Sequence, residues 1–427
     1  MKLNRLHAPQ LQEISEISLP PFEKLKLDNG IPLWLINTGS QELVKLQIAI
    51  PAGLIHQNKL LTAFFTNKLL KEGSEHFSAA EIAQKIDFYG AYLDSRTSRD
   101  QAFINVYCLN KHLDSVLQII ADILTKPSMP QGELQTIIEQ EKQGYLVRTQ
   151  KVNFIAQRKF YHDLFGEKHP YGKSGNIKDY EQVQVEDLQK FFKENYQVKD
   201  WHLFISGKVD NQTLEILNKH FGSLDNTGEK TEKLLIDIPH KIDCTPHFIE
   251  HKGAMQTALK MGKLTLNRSH KDYPILSLTQ TILGGFFGSR LMQNIREDKG
   301  YTYGIHSGVS HFQEASVFSI SSEIGQEFAE KALEEVYKEI KLLRTEKVKE
   351  EELHLVKNYM TGRLLKSLNG PFALGEIMGM LHDFNLPHDY FSDYISKIQA
   401  TTSDDILRIA HQYLHEDDML SIMVGSH

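Results

Sequence analysis

Five consecutive residues, His247-Phe248-Ile249-Glu250-His251, spell H-x-x-E-H. On a helix that spacing sets two imidazoles on one face for a zinc ion, with a carboxylate positioned to take a proton from bound water. The chemistry would be metal-assisted peptide hydrolysis. The surroundings argue for a strand instead: Pro246 precedes the string, Gly253 follows it, and AMQTALKMGKLTL continues in an alternating register. On a strand, residues four apart lie ~13 Å apart, whereas zinc holds imidazole nitrogens at ~2.0 to 2.1 Å. The string is therefore read as a coincidence of sequence, and no metal ligand is assigned to it.

Other residues of chemical interest are fewer. His411 and His415 have i, i+4 spacing near a predicted helix end, and His169 sits in a His-Pro-Tyr-Gly loop; surface or capping roles are expected for all three. Gly284-Gly285 and Gly288 lack the following Lys-Ser or Lys-Thr of a phosphate-binding loop. No G-x-S-x-G occurs, so serine hydrolase chemistry has no support. The two cysteines, Cys108 and Cys244, are too few for a disulfide framework and read as inert reduced thiols.

The elements that must position any site follow from periodicity. FEKLKLDNGIPLWLINTG alternates apolar and polar residues around Asp28-Asn29-Gly30, a hairpin signal. ELVKLQIAIPAG (Glu42 to Gly53) is a further strand, and NKLLTAFFTNKLLKEG turns to helical spacing. Ser78 and Glu81 have capping-box spacing at the start of a helix that ends before Gly90. A strand pair follows in AYLDSRTSRDQAFINVYCL, then a helix stopped by Pro127, long helices through about Tyr161, and the strand WHLFISG.

Shifting the sequence by 218 residues places Asp187-Leu188 on Asp405-Ile406, Tyr196 on Leu414 and Gly207 on Gly425 without a gap. A helix followed by a strand ending in glycine thus closes both halves, which points to duplication. The expected fold is α+β: two similar domains, each a mainly antiparallel sheet with helices packed on one face. The boundaries fall at 1–222 and 242–427, joined by a polar linker over 223–241.

Length and charge are consistent with this. At 427 residues the chain suits two or three domains, with 41% hydrophobic and 24% charged residues, as in ordinary soluble proteins. The formal charge of -7 disfavours sequence-independent binding to nucleic acid or to an anionic membrane. The N-terminal stretch lacks the apolar run of a secretion signal, and no segment approaches the ~20 apolar residues of a membrane span. A cytoplasmic location is expected.

The run LGGFFGSRLMQNIREDKGYTYGIHSGVS (Leu283 to Ser310) resembles the C-terminal signature of the pitrilysin/insulinase family, inverted-motif zinc peptidases whose members include mitochondrial processing peptidase. In that signature an Arg closes the helix and a Tyr follows in the next strand; here they are Arg296 and Tyr303. LDNGIPLWLI, KEGSEHFSAAEIAQKIDFYGAYLDSRTSRD and HPYG at 169 to 172 agree in order and spacing. The resemblance covers nearly the whole chain.

It breaks where the chemistry should be. The family's H-x-x-E-H falls on Ala63-Phe64-Phe65-Thr66-Asn67, give or take one residue, and neither register holds a histidine. Of the third ligand's V-V-x-E-E pattern, Ile137-Ile138-Glu139-Gln140-Glu141 retains Glu141. One carboxylate cannot hold catalytic zinc, which takes three protein ligands and an open water position. The resemblance therefore implies a chain inactive alone and carrying no metal or other cofactor. It would be the non-catalytic subunit of a heterodimeric zinc metalloendopeptidase, with zinc in an H-x-x-E-H-bearing partner. Arg296 and Tyr303 would then bind the peptide substrate. A structural or scaffolding homologue with no proteolytic role is the alternative, and an autonomous peptidase using His247, Glu250 and His251 is a third reading.

Overall fold

In the computed structural model the structure describes residues 17–228, 234, 236–239 and 242–426. The N-terminal arm through residue 16 and part of the expected 223–241 linker lie outside the described residues.

The first half contributes strands β1 (Glu23–Lys26), β2 (Pro32–Asn37), β3 (Leu43–Ile50), β4 (Tyr92–Thr97), β5 (Ala102–Leu109) and β6 (His202–Gly207). They form a six-stranded sheet in the order β1-β2-β6-β3-β5-β4, antiparallel except for the β2–β6 pair. Its helices are α1 (Thr62–Leu69), α2 (Ala79–Phe88), α3 (Leu113–Thr125), α4 (Gln131–Arg148), α5 (Val152–Phe165), α6 (Ile177–Glu181), α7 (Val185–Asn195) and α8 (Asn211–Leu217). The second half contributes β7 (His247–Glu250), β8 (Gln256–Thr265), β9 (Thr302–His311), β10 (Ser316–Gly325) and β11 (Leu420–Gly425). Its five-stranded sheet runs β7-β11-β8-β10-β9, again with a single parallel pair, β7–β11. The helices α9 (Tyr273–Gln280), α10 (Ala329–Thr345), α11 (Glu350–Ser367), α12 (Pro371–Asp383), α13 (Tyr390–Ala400) and α14 (Ser403–Tyr413) complete it.

Strand for strand, β2-β6-β3-β5-β4 and β7-β11-β8-β10-β9 share one topology. The 218-residue shift is borne out to the residue, since α7 maps onto α14 and β6 onto β11 end to end. Local signals also hold. The Ser78 hydroxyl accepts from the Glu81 N–H at 3.4 Å while the Glu81 carboxylate accepts from the Ser78 N–H at 2.9 Å, satisfying two otherwise orphaned donors. Gly30, at φ +89°, makes the turn between β1 and β2, a conformation costly for residues with a Cβ.

As expected, each half is α+β, a mainly antiparallel sheet with its own helices on one face, and the opposite face is covered as well. One face of the first sheet buries Leu46, Ile48, Val106 and Leu203 against helices of its own half, including Ile120 and Leu124 of α3. Its other face buries Ile36, Ala49, Phe103 and Phe204 against Leu374, Met378 and Leu381 of α12, a helix of the second half. Gly375 allows that approach, because a Cβ there would stand 2.6 Å from the Ser206 hydroxyl. The second sheet repeats the arrangement: Leu420, Ile422, Val424 and Val317 pack against Ala156 and Phe160 of α5, from the first half. The 218-residue shift also maps α5 onto α12 to within one residue at each end. Each half therefore covers the open face of the other.

A polar latch joins the equivalent hairpin tips. The buried Asp100 carboxylate, in the β4–β5 turn, accepts from the Tyr171 hydroxyl and, at 3.1 Å, from the backbone N–H of Gln313 in the β9–β10 turn. Burial pushes the Asp100 carboxyl above its ordinary range, opposed by these two bonds. The Arg99 guanidinium lies 4.7 Å from the Tyr161 ring centre and 5.1 Å from that of Phe312. Tyr171 and His169 come from the His-Pro-Tyr-Gly loop, whose work here is structural. His169 stacks on Phe165 at 4.9 Å and accepts from the Tyr171 N–H, and burial lowers its pKa.

Cys108 is buried and unpaired, its thiol pushed up to about 11 by burial, and Cys244 is also free. Among the described residues no helix is long and apolar enough to cross a membrane.

The exchange of helices has a direct consequence for proteolysis. A cut within 223–241 is expected to leave two fragments that co-elute on size exclusion and separate only in denaturant. Fragments that part in native buffer would contradict the exchanged packing.

Candidate functional site

The degenerate metal position lies where α1 meets α4. The Lys68 ammonium forms an ion pair with the Glu141 carboxylate, and Arg148 Nη2 stands 3.9 Å from the other carboxylate oxygen. Lys68 Nζ also lies 5.4 Å from the ring centre of Phe64, one helical turn back. Positions 64 and 68 therefore face Glu141, while Ala63 and Thr66 are fully buried toward the core. Within the one-residue latitude of the expected register, this geometry favours Phe64 to Lys68 over Ala63 to Asn67. Sequence alone could not choose between them, because neither carries a ligand.

Those residues do not fit zinc. A phenyl ring offers no lone pair, and the lysine is a cation that already neutralises Glu141, the one carboxylate left from the expected ligand set. Asn67, at the general-base position of the Phe64–Lys68 register, is buried with neither amide atom bonded to a described residue. Among the described residues, no cluster of three or more His, Cys, Asp or Glu side chains could hold a metal ion.

The 247–251 string is settled by strand geometry. His247–Glu250 is β7, paired in parallel with β11. Alternation sends His247 and Glu250 to opposite faces: His247 Nε2 lies 4.0 Å from Asp163, while the Glu250 carboxylate accepts from Ser426 Oγ at 3.4 Å. The string builds no zinc site. His411 and His415 have ring centres 5.9 Å apart, and His415 Nδ1 lies 2.9 Å from Arg344 Nη2.

Arg296 and Tyr303 are brought to one cavity of about 400 Å³, which Gln256, Tyr301 and Phe328 also line. Arg296 lies in the last turn of the helical segment Met292–Asp298. Its Nη1 donates to Glu297 at 2.6 Å, and its guanidinium covers the Phe287 ring at 4.6 Å. Tyr303 opens β9 and is 91% exposed. A register shift between Ser322 and Ile324 marks a bulge opposite it. The Thr302 hydroxyl donates to the Glu323 carbonyl at 2.6 Å, and Ser322 Oγ donates to the Gly304 carbonyl at 2.8 Å. A bulge re-aims the side chain beside it. Tyr303 also lines a second cleft of about 660 Å³, whose wall includes Arg148, Phe154, Lys260 and Glu323. That cleft lies between α4–α5 of one half and β8–β10 of the other. Arg148 thus touches both the degenerate metal position and the cleft that Tyr303 enters.

Sequence reasoning missed Lys68, Arg148 and Lys260. The first two carry no signal without the fold. Lys260 does, since it is a lysine at an inward register position of the otherwise apolar run ALKMG.

Comparisons with known proteins agree with this fold. The model described as Insulinase (Peptidase family M16) matches residues 34–166, and that described as Peptidase M16 inactive domain matches residues 182–360. The chain belongs to the insulinase (M16) peptidase family. It is 22% identical over 414 residues to an uncharacterized zinc protease of Bacillus subtilis, covering 95% of this chain and 98% of that protein. It is likewise 22% identical over 431 residues to the mitochondrial-processing peptidase subunit beta of Saccharomyces cerevisiae, covering 96% and 92%. Among solved structures, a peptidase M16 inactive domain from Pseudomonas fluorescens superposes with a TM-score of 0.87 at 23% identity, covering 95% of this chain and 98% of that one. A protease from Helicobacter pylori gives 0.86 at 18% identity, covering 95% and 100%.

The register makes a metal experiment discriminating. The unaltered chain, purified with zinc present, is expected to carry far less than one zinc. The triple change Phe64→His, Asn67→Glu and Lys68→His, which places ligands beside Glu141, should raise this toward ~1 per chain. The shifted set Ala63→His, Thr66→Glu and Asn67→His should not. Stoichiometric zinc in the unaltered chain by elemental analysis would refute the assignment.

Proposed function

We propose that this chain is the non-catalytic, substrate-binding subunit of a heterodimeric zinc metalloendopeptidase that acts on peptides or unfolded polypeptides in the cytoplasm. Zinc and the general base belong to a homologous partner bearing H-x-x-E-H. The observation that carries the reading is the contrast between the two sites: Lys68 and Glu141 close the metal position with an ion pair, while Tyr303 stands 91% exposed in a cavity it shares with Arg296. A large side chain so exposed at the mouth of a cleft does nothing for the core. Its hydroxyl and the Arg296 guanidinium are donors suited to a peptide carbonyl, or to the charge that develops on it. The name of the yeast relative, a subunit of a processing peptidase, supports a two-chain assembly.

A structural homologue without a proteolytic partner is the competing reading. Arg296's ion pair with Glu297 and its packing on Phe287 are contacts that a scaffold arginine would also make.

The test uses the assembled complex. Tyr303→Phe keeps the ring, so folding and assembly should be unchanged. Loss of a donor aimed at a developing oxyanion lowers kcat by ~10²-fold, whereas a role in ground-state binding raises KM. Arg296→Ala should act in the same direction, with the double variant less than additive if both hold one peptide group. Full activity of a complex carrying both changes would overturn the proposal in favour of a scaffold.

A further inference from the structure

The two sheets each carry a lysine on the face covered by the other half's helix, and the two are treated differently. On β3, Lys45 is buried and forms an ion pair with Glu376 of α12. On β8, Lys260 lies beneath α5 with its Nζ 3.0 Å from Ser319 Oγ, 3.5 Å from Ser321 Oγ and 5.7 Å from the Phe160 ring centre. Among the described residues no carboxylate pairs with it. Burial pulls its ammonium below the ordinary lysine range, with no acidic neighbour offsetting the effect.

A half-buried ammonium held only by hydroxyls is costly to retain, because neutral acceptors replace lost hydration poorly. An ammonium has three donors, and two serines leave one unassigned. Lys260 lines the 660 Å³ cleft between the halves, into which Tyr303 also projects. Arg148 and Lys151 add positive charge to the same wall. The acid opposite them, Glu323, is occupied by a hydrogen bond from Asn153. The cleft is thus cationic in a chain that is negative overall.

We propose that Lys260 receives a carboxylate of the bound peptide, either its C-terminus or an acidic side chain, on the floor of the cleft that Tyr303 enters. The inference rests on the peptide-binding reading above and adds a substrate class to it. A carboxylate there would take the unassigned donor and give Lys260 the counter-ion that Glu376 gives Lys45. Arg148 and Lys151 would steer it inward.

Fluorescence anisotropy with the full chain tests this, using one N-terminally fluorescein-labelled unstructured peptide in three forms. These are the free C-terminal acid with neutral side chains, the same peptide as the C-terminal amide, and the amide with one internal Gln changed to Glu. At least one carboxylate form should bind ~10-fold tighter than the neutral amide, the size of one charge-assisted hydrogen bond. Which form it is identifies the source. Lys260→Met should bring that form down to the amide's affinity, and Lys260→Arg should keep part of the preference, which also controls for a folding defect in the Met variant. Tyr303→Phe should weaken all three forms without changing their ratio. Equal binding of all three forms by the unaltered chain, or a preference that survives Lys260→Met, overturns the carboxylate assignment and leaves peptide binding standing. Binding of none of them overturns both.

Discussion

Both sheets bury large apolar side chains on both faces, and this constraint shapes the rest of the molecule. A sheet with one wet face can stand with helices on the other side only. Here Phe204, Ile36 and Phe103 of the first sheet, and Leu420, Ile422 and Val424 of the second, point away from their own helices and still lie buried. Each Leu- or Phe-sized side chain contributes ~1.5–3 kcal/mol when fully buried. Exposing three or four of them would consume much of the ~5–15 kcal/mol by which a protein is stable. Neither half is complete without α5 or α12 from the other. The cleft between the halves is the part of this seam left unfilled, and that is why residues distant in sequence, Arg148, Lys260 and Tyr303, line one cavity.

The same seam explains why a lost metal site need not unsettle the fold. The metal position is on the own-helix side of the first half, held by α1 against α4, where an ion needs a counter-charge whatever its chemistry. Lys68 supplies a single positive charge to Glu141 where a metal would supply two, and it brings its own covalent tether. The ion pair is part-buried, so removing either member strands the other and costs more than the pair itself stabilises. The position is held by an ion pair, and the proposed peptide-binding role rests on the Tyr303 side instead.

Signals confined to one element were legible in the sequence. The Ser78–Glu81 box, the turn at Gly30 and the strand reading of 247–251 depend on residues within a few positions, and the structure bears them out. The duplication was legible because α7–β6 and α14–β11 kept their spacing without insertion. The exchange of α5 and α12 was not, since an amphipathic or mixed helix records that it is covered but not by what. The one-residue latitude at the metal position has a similar origin. With the ligands gone, only the direction of Lys68 toward Glu141 fixes the register, and that is a tertiary fact.

If this chain binds substrate while another holds the metal, affinity purification of the tagged chain from its own cells should recover both. The purified material is examined by native mass spectrometry, elemental analysis and peptide cleavage. A second chain of similar size bearing H-x-x-E-H is expected, with one zinc per pair and cleavage only when both chains are present. A chain that purifies without such a partner, or that cleaves peptide alone with zinc bound to itself, would contradict that division of roles.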